Sequence, residues 1–262
     1  MGGAATSVGE PHDDEGTSYG EDTGDDPFNP GCNFFCPPDG GMATFECDVW
    51  GQDCPDGQKC SPWANDGGMS WNATKCTPID LDAHAVGEPC TVEGSGVSGV
   101  DSCALGSMCW VVDPETLEGT CVAQCQGTEA NPVCSDGTAC FISNKGTLHL
   151  CLPTCAPLAD PCDEGFTCRP VLTEDPHAFV CIPLGSQGVI DDGCETCGLG
   201  ELCVSAQSQL GCETDSGCCS VYCDLEDPSA DALCSGLVAG HTCIPYFDAP
   251  QPLGYVGICG IR

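Results

Sequence analysis

One frame recurs through this chain, two cysteines around a central glycine, Cys-x-x-Gly-x-x-Cys. It appears as CPDGQKC at 54–60, CALGSMC at 103–109, CSDGTAC at 134–140, CDEGFTC at 162–168 and CGLGELC at 197–203. Most other positions in the frame vary. A five-residue link between two cysteines must turn sharply, and glycine accepts the positive φ that such a turn asks of one residue. The flanking cysteines then leave the turn toward different partners.

Cysteine supplies 28 of the 262 residues, above the level of about 8–10 % at which a disulfide scaffold becomes the default reading. An even count lets every thiol pair. Disulfides persist in oxidising compartments, so the expected location is the periplasm, a cell surface or the extracellular medium. Large apolar residues are sparse, with four Trp, four Tyr, eight Phe and four Met. That scarcity points to several small modules, each stapled by its own bridges, rather than to one large core.

The cysteines keep a rhythm. Cys90, Cys103, Cys109 and Cys121 form one block, Cys125, Cys134, Cys140 and Cys151 the next, and Cys155, Cys162, Cys168 and Cys181 a third. Three residues separate successive blocks, as in Cys121-VAQ-Cys125 and Cys151-LPT-Cys155. Cys47, Cys54, Cys60 and Cys76 repeat the order with a longer last gap. The period of roughly 30 residues is that of a repeat array. Within each block, four cysteines allow three wirings. First-to-third with second-to-fourth is one of them, and spacing alone does not choose. Each loop closed at this size contributes about 3 kcal/mol in the chain-entropy account.

Between the third and fourth cysteines lie hairpin signals. In CFISNKGTLHLC (140–151) apolar residues flank an Asn- and Gly-containing turn, and 109–121, 168–181 and 243–259 read likewise. The expected fold is therefore a small disulfide-rich one. Tandem modules of short antiparallel β-hairpins, with little helix, follow a disordered N-terminal tail. The expected divisions are an acidic stalk over 1–31, a module over 32–89, repeats over 90–124, 125–154 and 155–189, and a divergent C-terminal module over 190–262. The stalk holds eight acids and no Lys, Arg or Cys, a composition that does not support a folded core. Its opening stretch, MGGAATSVGEPHDDEG, lacks the basic and apolar regions of a signal peptide. The cysteines still require export, so a signal is expected to have been removed or to lie upstream.

The string Cys47-DVWGQD-Cys54-PDG-QK-Cys60 resembles the repeat of cysteine-rich surface proteins and lipoproteins of myxobacterial type, and CETDSGCC (212–219) echoes its first half. The resemblance implies export and a disulfide scaffold, and no particular activity. The sequence itself shows no lipobox. The spaced cysteine and Cys218–Cys219 pair give 194–234 a fainter similarity to inhibitor cystine knot peptides.

Charge narrows the partners. Forty acids face five basic residues, for a net charge of −35. Nucleic acid needs phosphate-neutralising cations and is not an expected partner. No apolar run reaches membrane-spanning length. A protein or a surface polysaccharide is the expected partner, and calcium is the one cofactor the acids suggest, through Asp191–Asp192, Asp224–Glu226–Asp227 and Asp160–Asp163–Glu164. None of these fits an EF-hand loop. Zinc would need paired hooks such as Cys194/Cys197, Cys32/Cys36 or Cys121/Cys125, and the five-residue gap of the frame is not metal spacing.

Catalysis finds little footing. The histidines, His12, His84, His149, His177 and His241, form no recognisable arrangement, and no Gly-x-Ser-x-Gly elbow occurs. The expected role is that of a non-enzymatic surface protein for recognition, adhesion or envelope structure, with Trp63, Trp71, Trp110, Tyr246 and Tyr255 as possible contact anchors. The sharp alternative is a protease inhibitor, whose basic loop residue would be Lys145 in SNKGT.

Overall fold

In the computed structural model the described residues are 46–158, 162–171, 177–184, 194, 197, 200–212, 217–247 and 253–262. The stalk at 1–31 and Cys32 and Cys36 lie outside them. The described part is a disulfide-rich assembly of small antiparallel strand pairs with one α-helix and thirteen disulfides.

Six units follow one another. The first holds β1 (Gln58–Trp63) and β2 (Ala73–Pro78). The second holds β3 (Pro89–Thr91), β4 (Ser107–Trp110) and β5 (Glu118–Ala123). The third holds the short pair β6 (Gln126–Thr128) and β7 (Asn131–Val133), then β8 (Thr138–Ser143) and β9 (Leu148–Pro153). The fourth is β10 (Phe166–Val171) with β11 (Ala178–Pro183). β12 (Glu201–Val204) pairs with β13 (Cys218–Asp224) in the fifth. The sixth contains α1 (Ala230–Leu237), β14 (Thr242–Pro245) and β15 (Val256–Gly260).

The wiring is uniform. In every unit the first cysteine bonds the third and the second bonds the fourth. Cys47–Cys60 and Cys54–Cys76 open the series. Cys90–Cys109 and Cys103–Cys121 follow, then Cys125–Cys140 and Cys134–Cys151, then Cys155–Cys168 and Cys162–Cys181. Cys194–Cys203 with Cys197–Cys219, and Cys223–Cys243 with Cys234–Cys259, complete it. Cys212–Cys218 is an extra bridge inside the fifth unit. Cys223 and Cys234 therefore pair outside 194–234, and that segment is not a self-contained knot. The residues 190–262, read from sequence as a departure from the rhythm, contain two further units of the same scheme.

The third and fourth cysteines face each other in strand register, as Cys60↔Cys76, Cys140↔Cys151 and Cys243↔Cys259 do. Opposed residues in a ladder project from the same face. Both sulfurs therefore reach to one side of the hairpin, where the elbow bearing the first and second cysteines is stapled over them. The elbow glycine has positive φ in all six units, from Gly106 at 70° to Gly240 at 94°, which explains why glycine persists there.

In the third and fourth units the face without cysteines is mostly apolar. On β8–β9 it carries Ala139↔Leu152 and Phe141↔Leu150. On β10–β11 it carries Thr167↔Ile182, Arg169↔Val180 and Val171↔Ala178. Leu148, Leu150, Leu152, Val171, Val180 and Ile182 join Ala64, Trp71, Met108 and Trp110 in one buried cluster spanning the first four units. The sequence led us to expect modules without a common core. The structure differs because each hairpin contributes a few apolar residues on one face, too few alone and sufficient together. A second cluster unites Cys168 and Phe179 of the fourth unit with Leu202, Tyr222, Ile244, Val256 and Ile258 of the last two.

Successive units also share backbone. The chain leaving β5 pairs with β9 at Gln124↔Leu150, and the chain leaving β9 pairs with β11 at Thr154↔Val180. The end of β13 extends this handover to a ladder on β15, Tyr222↔Ile258, Cys223↔Gly257 and Asp224↔Val256, giving the order β12-β13-β15-β14.

Candidate functional site

The residues that carry charge or chemistry fall first into the joints between units. Lys59, in the first Cys-x-x-Gly-x-x-Cys frame, is fully buried. Its Nζ donates to Asp101 Oδ1 at 2.6 Å, to Cys103 O at 2.8 Å and to Ser107 O at 3.0 Å, using all three protons on the second unit. Asp101 also accepts from the backbone N–H of Cys103 and of Cys109. Burial pulls the Lys59 pKa below the ordinary lysine value, and the Asp101 carboxylate works against that pull.

His149 of β9 fills a second joint. Its ring stacks on Trp50 of the first unit, with centroids 4.2 Å apart and planes 19° from parallel. Neither ring nitrogen has a hydrogen-bond partner. Burial lowers its pKa to about 4, only slightly offset by its own backbone and by Asp48. Gln52 Nε2 donates to Gln124 Oε1 nearby at 2.8 Å. At a third joint Phe179 meets Tyr222 edge-on at 5.5 Å, and Tyr222 Oη donates to Cys168 O.

The other expected site residues are placed as follows. The cysteines Cys54, Cys60, Cys90, Cys103, Cys109, Cys121, Cys125, Cys134, Cys140, Cys151, Cys155, Cys162, Cys168 and Cys181 all lie in disulfides. Cys194 and Cys197 are bonded to Cys203 and Cys219, so the clearest zinc hook has no thiolate to offer. Lys145 is exposed between β8 and β9, in a left-handed run of Asn144, Lys145 and Gly146 with φ of 52°, 56° and 87°. A protease cleft that aligns an extended strand would have to straighten this turn. Asp224 Oδ1 accepts from the Glu226 N–H, and Asp227 Oδ1 accepts from the N–H and hydroxyl of Ser229, so these acids already serve the turn into α1. Asp160, Asp191 and Asp192 lie outside the described residues.

Trp71 and Trp110 are core residues, tilted against each other at 5.4 Å. Lys75 Nζ sits 4.5 Å over the Trp63 ring. Tyr246 and Tyr255 are half-buried beside the second cluster. His84 Nδ1 contacts Pro89 O, His177 stacks on Phe247, and His241 Nε2 accepts from the Leu210 N–H. His12 lies outside the described residues.

Sequence reasoning missed the sixth unit. Its frame is stretched, because Cys234 sits inside α1 and the end of that helix lengthens the link to Cys243 to eight residues, where the other units have a five-residue elbow. Two signals were available: the spacer Cys219-SVY-Cys223, matching the earlier three-residue spacers, and the half-frame Gly240-His-Thr-Cys243. In repeat arrays, insertions in single repeats commonly gather on a binding face.

The inserted helix turns Ala230 and Cys234 inward and leaves Leu233 and Leu237 exposed at 55 % and 57 %. Val238 continues the row at 39 % exposed. Leu210, 44 % exposed, lies at its far end, where a Cβ on Gly240 would come within 2.9 Å of the Leu210 side chain. Scattered exposed apolar residues are ordinary, and a contiguous row is not. Glu226, Asp227 and Asp231 are exposed on α1 or just before it. No Lys or Arg occurs in the sequence between Arg169 and Arg262.

The helix is also fixed in place. Cys234 bonds Cys259, Asp231 Oδ1 accepts the Cys243 N–H, and His241 holds Leu210. Among the described residues no helix is long and apolar enough to cross a membrane. No protein-family model matches the chain, and no curated protein or solved structure matches it either.

Proposed function

We propose that the protein is a non-enzymatic recognition module of the extracytoplasmic surface, a rigid disulfide-stapled carrier for an apolar-and-acidic contact face. The thirteen bridges fit an oxidising compartment. The single observation that carries the recognition reading is α1. It is the one α-helix among the described residues, it carries Cys234 of the sixth unit, and it presents Leu233 and Leu237 to solvent. The two buried side chains among the described residues whose pKa is displaced, Lys59 and His149, sit in joints between units. Stapling the face before it meets a partner lowers the ordering cost of binding.

Two measurements test this. Intact cells making the protein are treated with a membrane-impermeant amine-reactive biotin, which should label exposed Lys145. A protein that labels only after lysis is not at the surface. The purified, oxidised protein should bind the matching cell-envelope fraction saturably, and the reduced, alkylated protein should not. Equal binding by both forms would end the recognition reading.

A further inference from the structure

We infer that the α1 face docks a cationic amphipathic segment of a partner protein, one that sets apolar side chains among Lys or Arg. This rests on the recognition reading and names its partner chemistry. Leu233 and Leu237 stand one turn apart on an eight-residue helix, and Val238 and Leu210 extend the row. Helix-in-groove and helix-face recognition uses apolar anchors at this i, i+4 spacing.

Charge selects among occupants. Glu226, Asp227 and Asp231 are exposed on α1 or just before it, and the last two units carry no Lys or Arg before Arg262. A second copy would bring the same acids against these and be repelled. An anionic lipid surface would be repelled for the same reason. A segment with Lys or Arg spaced around apolar residues satisfies both features at once, with the leucines giving affinity and the acids giving approach rate and orientation.

The probe is a synthetic amphipathic peptide of lysine and leucine, compared with polylysine of equal charge, at physiological and at high salt. The full oxidised protein should bind the amphipathic peptide more tightly than polylysine, and should retain part of that binding at high salt. Leu233→Ser with Leu237→Ser should weaken the amphipathic peptide by about ten-fold and leave polylysine unchanged. Both leucines are exposed, so the variant keeps its bridges, checked by thiol titration. Glu226→Lys is the second variant. The Glu226 side chain makes none of the hydrogen bonds described at this turn, and its reversal should weaken binding chiefly at low salt.

Equal binding of both peptides, unchanged by the leucine variant, would show charge alone at work and overturn the inference. So would a dimer in sedimentation that the leucine variant dissolves, or leucine-dependent binding to neutral phosphatidylcholine vesicles. Envelope binding, measured in parallel, separates this site from the wider reading. If envelope binding persists in the leucine variant, the docking face is elsewhere and the recognition role stands.

Discussion

Lys59 and Asp101 are 42 residues apart in sequence, yet their charged atoms meet at 2.6 Å with both side chains almost wholly out of solvent. The pair joins the first unit to the second, between which no disulfide runs among the described residues. Removing one partner of such a pair is costly because the other charge stays buried. Asp101→Asn is expected to lower stability by about 3–5 kcal/mol. Lys59→Met with Asp101→Asn should recover part of that loss, since no charge is then left buried and the asparagine oxygen can still accept from one of the Cys103 and Cys109 N–H groups. Guanidinium midpoints of both single variants and the double variant, with bridges intact, give the coupling. Strict additivity would show that the pair does not organise the joint.

The His149–Trp50 stack makes stability depend on mild acid. The folded pKa is about 4, against an ordinary value of 6.5. Above that ordinary value the ring is neutral whether the chain is folded or not, and the stabilisation is complete. As pH falls through this window the unfolded chain takes a proton that the folded chain refuses. Stability drops, by about 3 kcal/mol once the lower value is reached. His149→Phe keeps a ring against Trp50 and removes the titration. The difference between wild-type and variant midpoints should therefore change steadily across that range. A difference that stays flat would remove His149 as the cause, whatever the many carboxylates do.

Two glycines should respond differently to the same added methyl. Gly137, at φ +79°, has nothing within 4 Å of the new Cβ, so Gly137→Ala should cost only the left-handed strain of about 1–2 kcal/mol. Gly257 lies opposite the strand that carries Cys243. A Cβ there would meet Cys243 Sγ at 2.7 Å, Ile244 O at 2.8 Å and Cys223 Sγ at 3.1 Å. Gly257→Ala should therefore disturb formation of Cys223–Cys243, seen as free thiols after oxidative refolding. If it refolds fully bridged, at no more cost than Gly137→Ala, the packing around that bridge is looser than described.

Peptide mapping without reduction checks the wiring directly. Cys60 and Cys76 are register partners, as are Cys168 and Cys181, but the expected linked fragments are Cys47–Cys60 with Cys54–Cys76 and Cys155–Cys168 with Cys162–Cys181. A Cys60–Cys76 fragment would refute the scheme.

The sequence exposed the hairpins because their strands are bounded by cysteine and turn at polar residues, as in CFISNKGTLHLC. It exposed the elbow because only glycine suits that φ. Other features were hidden for physical reasons. The helix at 230–237 stretches the sixth frame past recognition, leaving Gly240 and Cys243 as its trace. The shared core was obscured by parity. Cys140 and Ile142 project to one side of β8, while Ala139 and Phe141 project to the other. Nothing local says that this other side meets β10 and β11. The partner of Lys59 was equally unreadable, since one acid among forty had to be singled out across a unit boundary. Leu233 and Leu237 were visible as letters, but their exposure depends on how Cys234 anchors the helix.

Among the described residues every bridge closes within its own unit, and none crosses to a neighbour. Under tension applied along the chain, the sulfur links would clamp most of the contour length, and only the spacers could pay out. Three residues lie between Cys121 and Cys125, and three more between Cys151 and Cys155. The longer spacers are Cys76 to Cys90 and Cys181 to Cys194. Such a molecule would give way in short steps as its joints part, then stiffen, and on release would find each hairpin still tied and ready to re-dock.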